Sequence, residues 1–166
     1  MADADALNLG LLILRLVIGL TLAVHGVVKY RNGIGGAAGW FASMGLKPGP
    51  LHAHLAASTE ILAGLALAVG FLTPLSAMAY IGVMTVAGWL AHRKNGFMIT
   101  KQGWEYVFVL GASAAGLAAT GPGEWSLDNA MGVTWSGVPW LIVAAGGGVA
   151  AGAALMAVFY RPPAAD

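Results

Sequence analysis

The chain has 166 residues, 58% of them hydrophobic and only 9% charged, with a mean hydropathy of +0.78. A soluble domain carries about 25% charged residues, so lipid is the expected solvent, and the length suits one compact unit. The net charge is +1, the basic residues are scattered and cysteine is absent, which excludes a nucleic-acid footprint, disulfides, thiol catalysis and cysteine-held metal or iron–sulfur centres.

The first apolar run spans about residues 7–30, enough for a transmembrane helix, which needs about 20 residues. The segment before it carries Asp3 and Asp5 and lacks the basic start of a secretory signal, so this run is expected to be a permanent span. A Gly-rich connection follows, in which residues 34–46, with Trp40 and Phe41, predict a short interfacial helix. Lys47-Pro48-Gly49-Pro50 breaks the chain before a second run over about residues 51–72. A third run starts at Thr73-Pro74, with proline in a first turn where its missing N–H costs nothing, and ends near His92. The link between runs two and three is so short that they form an antiparallel hairpin. Residues 93–103 are a polar connection. The fourth run covers about residues 104–120. A connection with Glu124 and Asp128 leads to a fifth run, about residues 139–160, closed by Arg161-Pro162-Pro163.

The continuous apolar runs exclude a barrel, whose strands alternate over about ten residues. The predicted fold is therefore an all-α membrane protein: four transmembrane helices plus a fifth, C-terminal one. Seven of the eight Lys and Arg residues (Lys29, Arg31, Lys47, Arg93, Lys94, Lys101 and Arg161) then fall on one face, which puts the N-terminus outside and the C-terminus in the cytoplasm. Trp125, Trp135 and Trp140 mark the outer boundary; Tyr30, Trp40, Trp89, Trp104 and Tyr160 mark the inner one. A four-span topology, with the fifth run re-entrant or outside the core, is the alternative. Ala144, Gly148 and Gly152 recur at four-residue spacing, a ridge suited to close helix packing, either inside the bundle or against another subunit.

The eighth basic residue, Arg15, lies inside the first run. Charged residues at such depth are costly, at about 2.5–3.5 kcal/mol each on insertion scales, and persist when paired or facing the bundle. Glu60 and Asp128 are its candidate partners. Such a pair either fixes helix register or lines a polar pocket for a headgroup, a quinone or a proton path. His25, His52, His54, His92 and Glu105 fall near the inner boundary. They suit interfacial decoration or the binding of an amphipathic ligand. Haem between His25 and His92 is a weaker reading because both lie near the surface, and no helical His-x-x-x-His metal pair occurs. The candidate pocket residues are thus Arg15, His25, Glu60, His92, Glu105 and Asp128, with no metal expected. No catalytic Ser/His/Asp spacing, phosphate loop or dinucleotide fingerprint is present.

An ordered set of motifs carries a resemblance. It comprises Leu14-Arg15-Leu16-Val17-Ile18-Gly19, His25-Gly26 and Lys29 in the first run. Thr59-Glu60-Ile61 and Gly70-Phe71-Leu72-Thr73-Pro74 follow in the second, then His92-Arg93-Lys94-Asn95-Gly96-Phe97, Gly103-Trp104-Glu105-Tyr106, Gly121-Pro122-Gly123 and Ser126-Leu127-Asp128. Over about residues 9–132 this resembles the DoxX family of small bacterial membrane proteins, particularly its actinobacterial members. The resemblance implies a four-helix membrane core over residues 1–132, to which residues 133–166 add an apolar segment and tail. It implies a bacterial plasma-membrane protein that anchors or organises an oxidoreductase complex without catalysis of its own. Some relatives are subunits of a thiosulfate:quinone oxidoreductase. Others join a membrane complex with a thiosulfate sulfurtransferase and a superoxide dismutase. A quinone-reactive protein is the alternative, with quinone as the expected cofactor. A small-molecule or lipid transporter is a third reading. The expected partners are the bilayer, other oxidoreductase subunits, and a second chain through Ala144, Gly148 and Gly152.

Overall fold

Long apolar stretches become long helices because in lipid the backbone must satisfy its own hydrogen bonds. The computed structural model describes residues 2–162; Pro163, expected to help close the last run, lies outside the described residues. Seven α-helices are found there: α1 (Ala2–Arg31), α2 (Ile34–Ser43), α3 (Gly49–Val69), α4 (Thr73–Ala87), α5 (Glu105–Thr120), α6 (Leu127–Ala130) and α7 (Val138–Phe159). No strand occurs among the described residues, only an isolated bridge between Leu46 and Tyr160.

Proline and glycine set the ends. Pro50 and Pro74 lie in the first turns of α3 and α4, and Gly70 closes α3 in the left-handed conformation at φ 66°. α4 does not stop at Ala87. It continues through a π-helical turn, Gly88–His92, and a 3-10 turn, Arg93–Asn95. Four stretches are long and apolar enough to cross a membrane: Asp3–Arg31, Gly49–Val69, Thr73–Asn95 and Val138–Phe159. The fourth apolar run is the short one. As α5 it has 16 residues, about 24 Å at 1.5 Å per residue.

α4 is the hub. It packs against α3, α5 and α7, while α1 lies along α3 and α2 covers the start of α3. The core is built from Ile18, Leu22, Leu67, Tyr80, Ile81, Leu110 and Leu117 with small residues between them. Tyr80 is fully buried and donates its hydroxyl hydrogen to the Ile18 carbonyl at 3.1 Å. The opposite faces carry exposed apolar side chains such as Ile13, Val17 and Val24 on α1 and Ile142, Val149 and Val158 on α7. That is the arrangement lipid contact requires.

Small residues set both close crossings. A Cβ on Gly19 would sit 2.5 Å from the Gly64 carbonyl oxygen, and one on Gly26 equally close to that of Ala57, so α1 and α3 touch backbone to backbone. The ridge of α7 does the same against α4. Ala144, Gly148 and Gly152 are buried, and a Cβ on Gly148 would meet the Met78 carbonyl oxygen at 2.6 Å. This corrects the expectation of an oligomer contact through these three residues. The groove they make is filled by α4 of the same chain, so it offers nothing to a second one.

Candidate functional site

The seven flanking basic residues gather at one end of the bundle. There the chain around Tyr160 pairs with the α2–α3 link: the Lys47 N–H donates to the Phe159 carbonyl at 3.2 Å and the Arg161 N–H to that of Gly45 at 2.7 Å. The Arg93 guanidinium lies 3.9 Å over the Trp89 ring. A cavity of about 720 Å³ opens at this end. Along α4 it follows the chain from Met78 to His92, about 21 Å of axial rise. Leu22, Met78 and Leu110 form its deep end, and α7 supplies Ala151, Gly152 and Leu155 to one wall. The polar residues in its lining come lower down: His25, Lys29, Thr59, Glu60 and Tyr106 first, then His52, His92 and Gln102 near the mouth beside Trp40.

The Lys29–Glu60 pair dominates the electrostatics. Lys29 Nζ donates to both Glu60 oxygens, at 2.8 and 2.6 Å, and the two side chains are 23% and 8% exposed. Glu60 was expected to face Arg15; the structure gives it Lys29 instead. Gly26 lets α1 approach α3 at the level of Ala57 and Glu60, and Lys29 follows one turn later on the same face. Arg15 is fourteen residues further along α1 from Lys29, about 21 Å at helical rise. His25 contributes a ring whose Nδ1 lies 2.7 Å from the Thr21 carbonyl, and the ring packs at 6.4 Å from that of Tyr106 across the α1–α5 seam. His92 Nδ1 lies 2.8 Å from the Gln102 carbonyl. The π-helical turn, in which the Arg93 N–H reaches the Gly88 carbonyl rather than that of Trp89 one position on, carries His92 to the cavity edge.

Of the six candidate pocket residues, His25, Glu60 and His92 therefore share one cavity. Arg15 and Asp128 sit together at the opposite end, and Glu105 spends its carboxylate on the Ile99 N–H at 2.8 Å. Arg15 is fully buried; its Nη2 donates to the Trp125 carbonyl at 2.6 Å, while Nε and Nη1 have no partner among the described residues. Asp128 accepts from the Leu72 and Thr73 N–H groups at 2.6 and 2.8 Å and so caps α4 from 55 residues away. Asn8 and Glu124 exchange two hydrogen bonds at 2.9 Å. This end is a clasp that fixes the Gly121–Met131 connection onto α1, α3 and α4. Sequence reasoning missed Lys29 and Tyr106 as lining residues, and His52, grouped with the inner-boundary histidines, is found in the lining too. The i, i+4 relation of His25 and Lys29 was the available signal for the first. Among the described residues no three His, Cys, Asp or Glu side chains gather to hold a metal ion.

Residues 10–93 match the DoxX family model, half of the chain. The chain belongs to the DoxX family. The match runs from α1 to the turn after α4 and thus contains the Lys29–Glu60 pair and all four histidines, whereas α5 and α7 lie beyond it. No curated protein and no solved structure matches the chain. As a DoxX protein with four helices fit to cross a bilayer, it is a membrane protein in contact with lipid.

Proposed function

We propose that this DoxX protein binds an amphipathic, quinone-type ligand in the cavity at its basic end and serves there as the membrane component of an oxidoreductase assembly. The observation that carries this is the placement of a charged pair and histidines inside an otherwise apolar cavity of about 720 Å³. Ligand sites are typically clefts of about 300–1,000 Å³, mostly apolar with a few convergent polar groups. The deep end around Leu22, Met78 and Leu110 suits an isoprenoid or alkyl chain, and the lower section suits an oxygen-bearing ring. Such a ring, when bound, supplies two-electron, two-proton exchange. The chain's own part is binding and orientation. Lys29 has three N–H donors and Glu60 occupies two, which leaves one for a ring oxygen. Glu60 holds Lys29 in place, and Trp40 with Phe41 on α2 shields the mouth from water.

In this proposal α5 crosses despite its 16 residues, because its ends lie at opposite ends of the bundle and its partners α4 and α7 share the mismatch. The seven basic residues then lie on the cytoplasmic side of the bacterial plasma membrane, with the N-terminus outside. A purely anchoring subunit needs no such cavity, so ligand binding is the function favoured over anchoring alone. Purified protein titrated with decylubiquinone is the test. Saturable quenching of tryptophan fluorescence, about tenfold weaker in Lys29→Met, is the expected result. Quenching that never saturates, or that Lys29→Met leaves unchanged, contradicts it.

A further inference from the structure

A second recess lies on the other side of the α4–α5 seam from the cavity described above. It is a groove of about 480 Å³ between α4 and α5, with Ala145 of α7 at one wall. Ile81, Met84, Thr85, Gly88 and Trp89 bring one face of α4 to it at three- and four-residue spacing. From Ile81 to Arg93 it follows the helix for about 18 Å. The hydrocarbon of one bilayer leaflet is about 15 Å thick, half of the whole core. Thr85 spends its hydroxyl hydrogen on the Ile81 carbonyl at 2.9 Å, so the wall along this length offers hydrocarbon. The charge stands at one end. There Trp89 and Trp104, both exposed, flank the groove, and the Arg93 guanidinium lies 3.9 Å over the Trp89 ring. The π-helical turn Gly88–His92 sends His92 to the cavity and leaves Trp89 and Arg93 to the groove. Stacking on the ring holds the plane of the guanidinium and leaves its N–H edge open. No carboxylate lines the groove, and the salt bridge found among the described residues is Lys29–Glu60, so Arg93 has no anion there to pair with. Glu105, next to Trp104, is already bonded to the Ile99 N–H.

We propose that this groove holds an anionic phospholipid drawn from the bilayer, with one acyl chain along α4 and α5 and its phosphate on the Arg93 guanidinium. Charge and length commit it to that occupant. A guanidinium presents paired N–H donors that match two phosphate oxygens. Its place beside two tryptophans is headgroup level, and the groove below it runs about as deep as one leaflet. A second copy packed here in the same orientation would bring its own basic end against this one, so like charges would meet. The site is separate from the one proposed for the quinone-type ligand and does not depend on it.

The test uses the full chain in nanodiscs of phosphatidylcholine and phosphatidylglycerol, equimolar and with the same acyl chains. Native mass spectrometry of the released protein counts the lipids it keeps. The wild type is expected to retain one phosphatidylglycerol, with about tenfold preference over phosphatidylcholine. Arg93→Gln is expected to abolish the preference. Lys94→Gln removes the same charge from the next residue, which does not line the groove, and is expected to keep it. Gly111→Leu fills the groove; its Cβ meets Met84 at an ordinary 3.7 Å, so the bundle is expected to fold and to lose retention of both lipids. Equal retention of the two lipids by the wild type overturns the proposal without any variant having to fold. An equal loss in Lys94→Gln and Arg93→Gln overturns it too, since that reports net charge alone. So does a dimer that Gly111→Leu dissolves, which gives the groove to a second copy.

Discussion

Removing Lys29 should harm the fold more than removing Glu60, although the two form one ion pair. Lys29→Met leaves a carboxylate whose side chain is 8% exposed with no counter-charge. Loss of one partner from a buried pair costs about 3–5 kcal/mol, and the partial opening of Lys29 to the cavity places this case at the low end, about 3 kcal/mol. Glu60→Gln leaves an ammonium on a flexible stem at 23% exposure, which can swing toward the mouth and water. Its cost should be about 1–2 kcal/mol. The double variant Lys29→Met/Glu60→Gln has no charge to strand and should cost no more than about 1 kcal/mol, a coupling of about 3–5 kcal/mol. Unfolding by SDS in mixed micelles, followed by tryptophan fluorescence, gives the four free energies of the cycle. Equal single effects that simply add, with coupling below about 0.5 kcal/mol, would refute the pairing.

Three further outcomes are expected. Gly19→Ala forces α1 from α3 because its Cβ would meet Gly64 at 2.5 Å, and should cost about 1–3 kcal/mol by the same unfolding assay, whereas Gly116→Ala, which faces open space inside α5, should be neutral or stabilise by up to about 1 kcal/mol. Asp128→Ala removes both acceptors at the start of α4; it should cost about 2 kcal/mol and speed hydrogen exchange at Leu72 and Thr73, with Asp128→Asn intermediate. The chain has no cysteine, so single cysteines report topology cleanly. A membrane-impermeant maleimide applied to intact cells should label Met131→Cys and spare Lys94→Cys, and the reverse pattern would invert the orientation.

The elements were legible because their causes are local. Pro50, Gly70 and Pro74 mark the α3–α4 hairpin, and Trp40 with Phe41 among small residues marks α2. The gathering of basic residues at one end follows from alternation of the runs. Partnership was not legible, because depth along a helix does not say which helix is next to which. Arg15 and Lys29 both lie within reach of Glu60 by depth alone; only the close approach at Gly26 decides for Lys29. Asp128 is a candidate pocket residue by sequence, yet its task is to cap a helix whose N-cap, Leu72, is held at φ 45°. His52 was legible only as one of a group of titratable residues near the inner boundary. Its burial appears only when Phe159 of α7, from over a hundred residues away, packs edge-on against it.

A side-chain-resolution map of the protein in native-lipid nanodiscs tests the central claim most directly. Density from a non-protein ring and chain is expected in the cavity, with an oxygen within hydrogen-bond reach of Lys29 Nζ and the Lys29–Glu60 pair intact. A cavity collapsed onto its own side chains, or Lys29 and Glu60 parted and turned toward acyl chains, would contradict it.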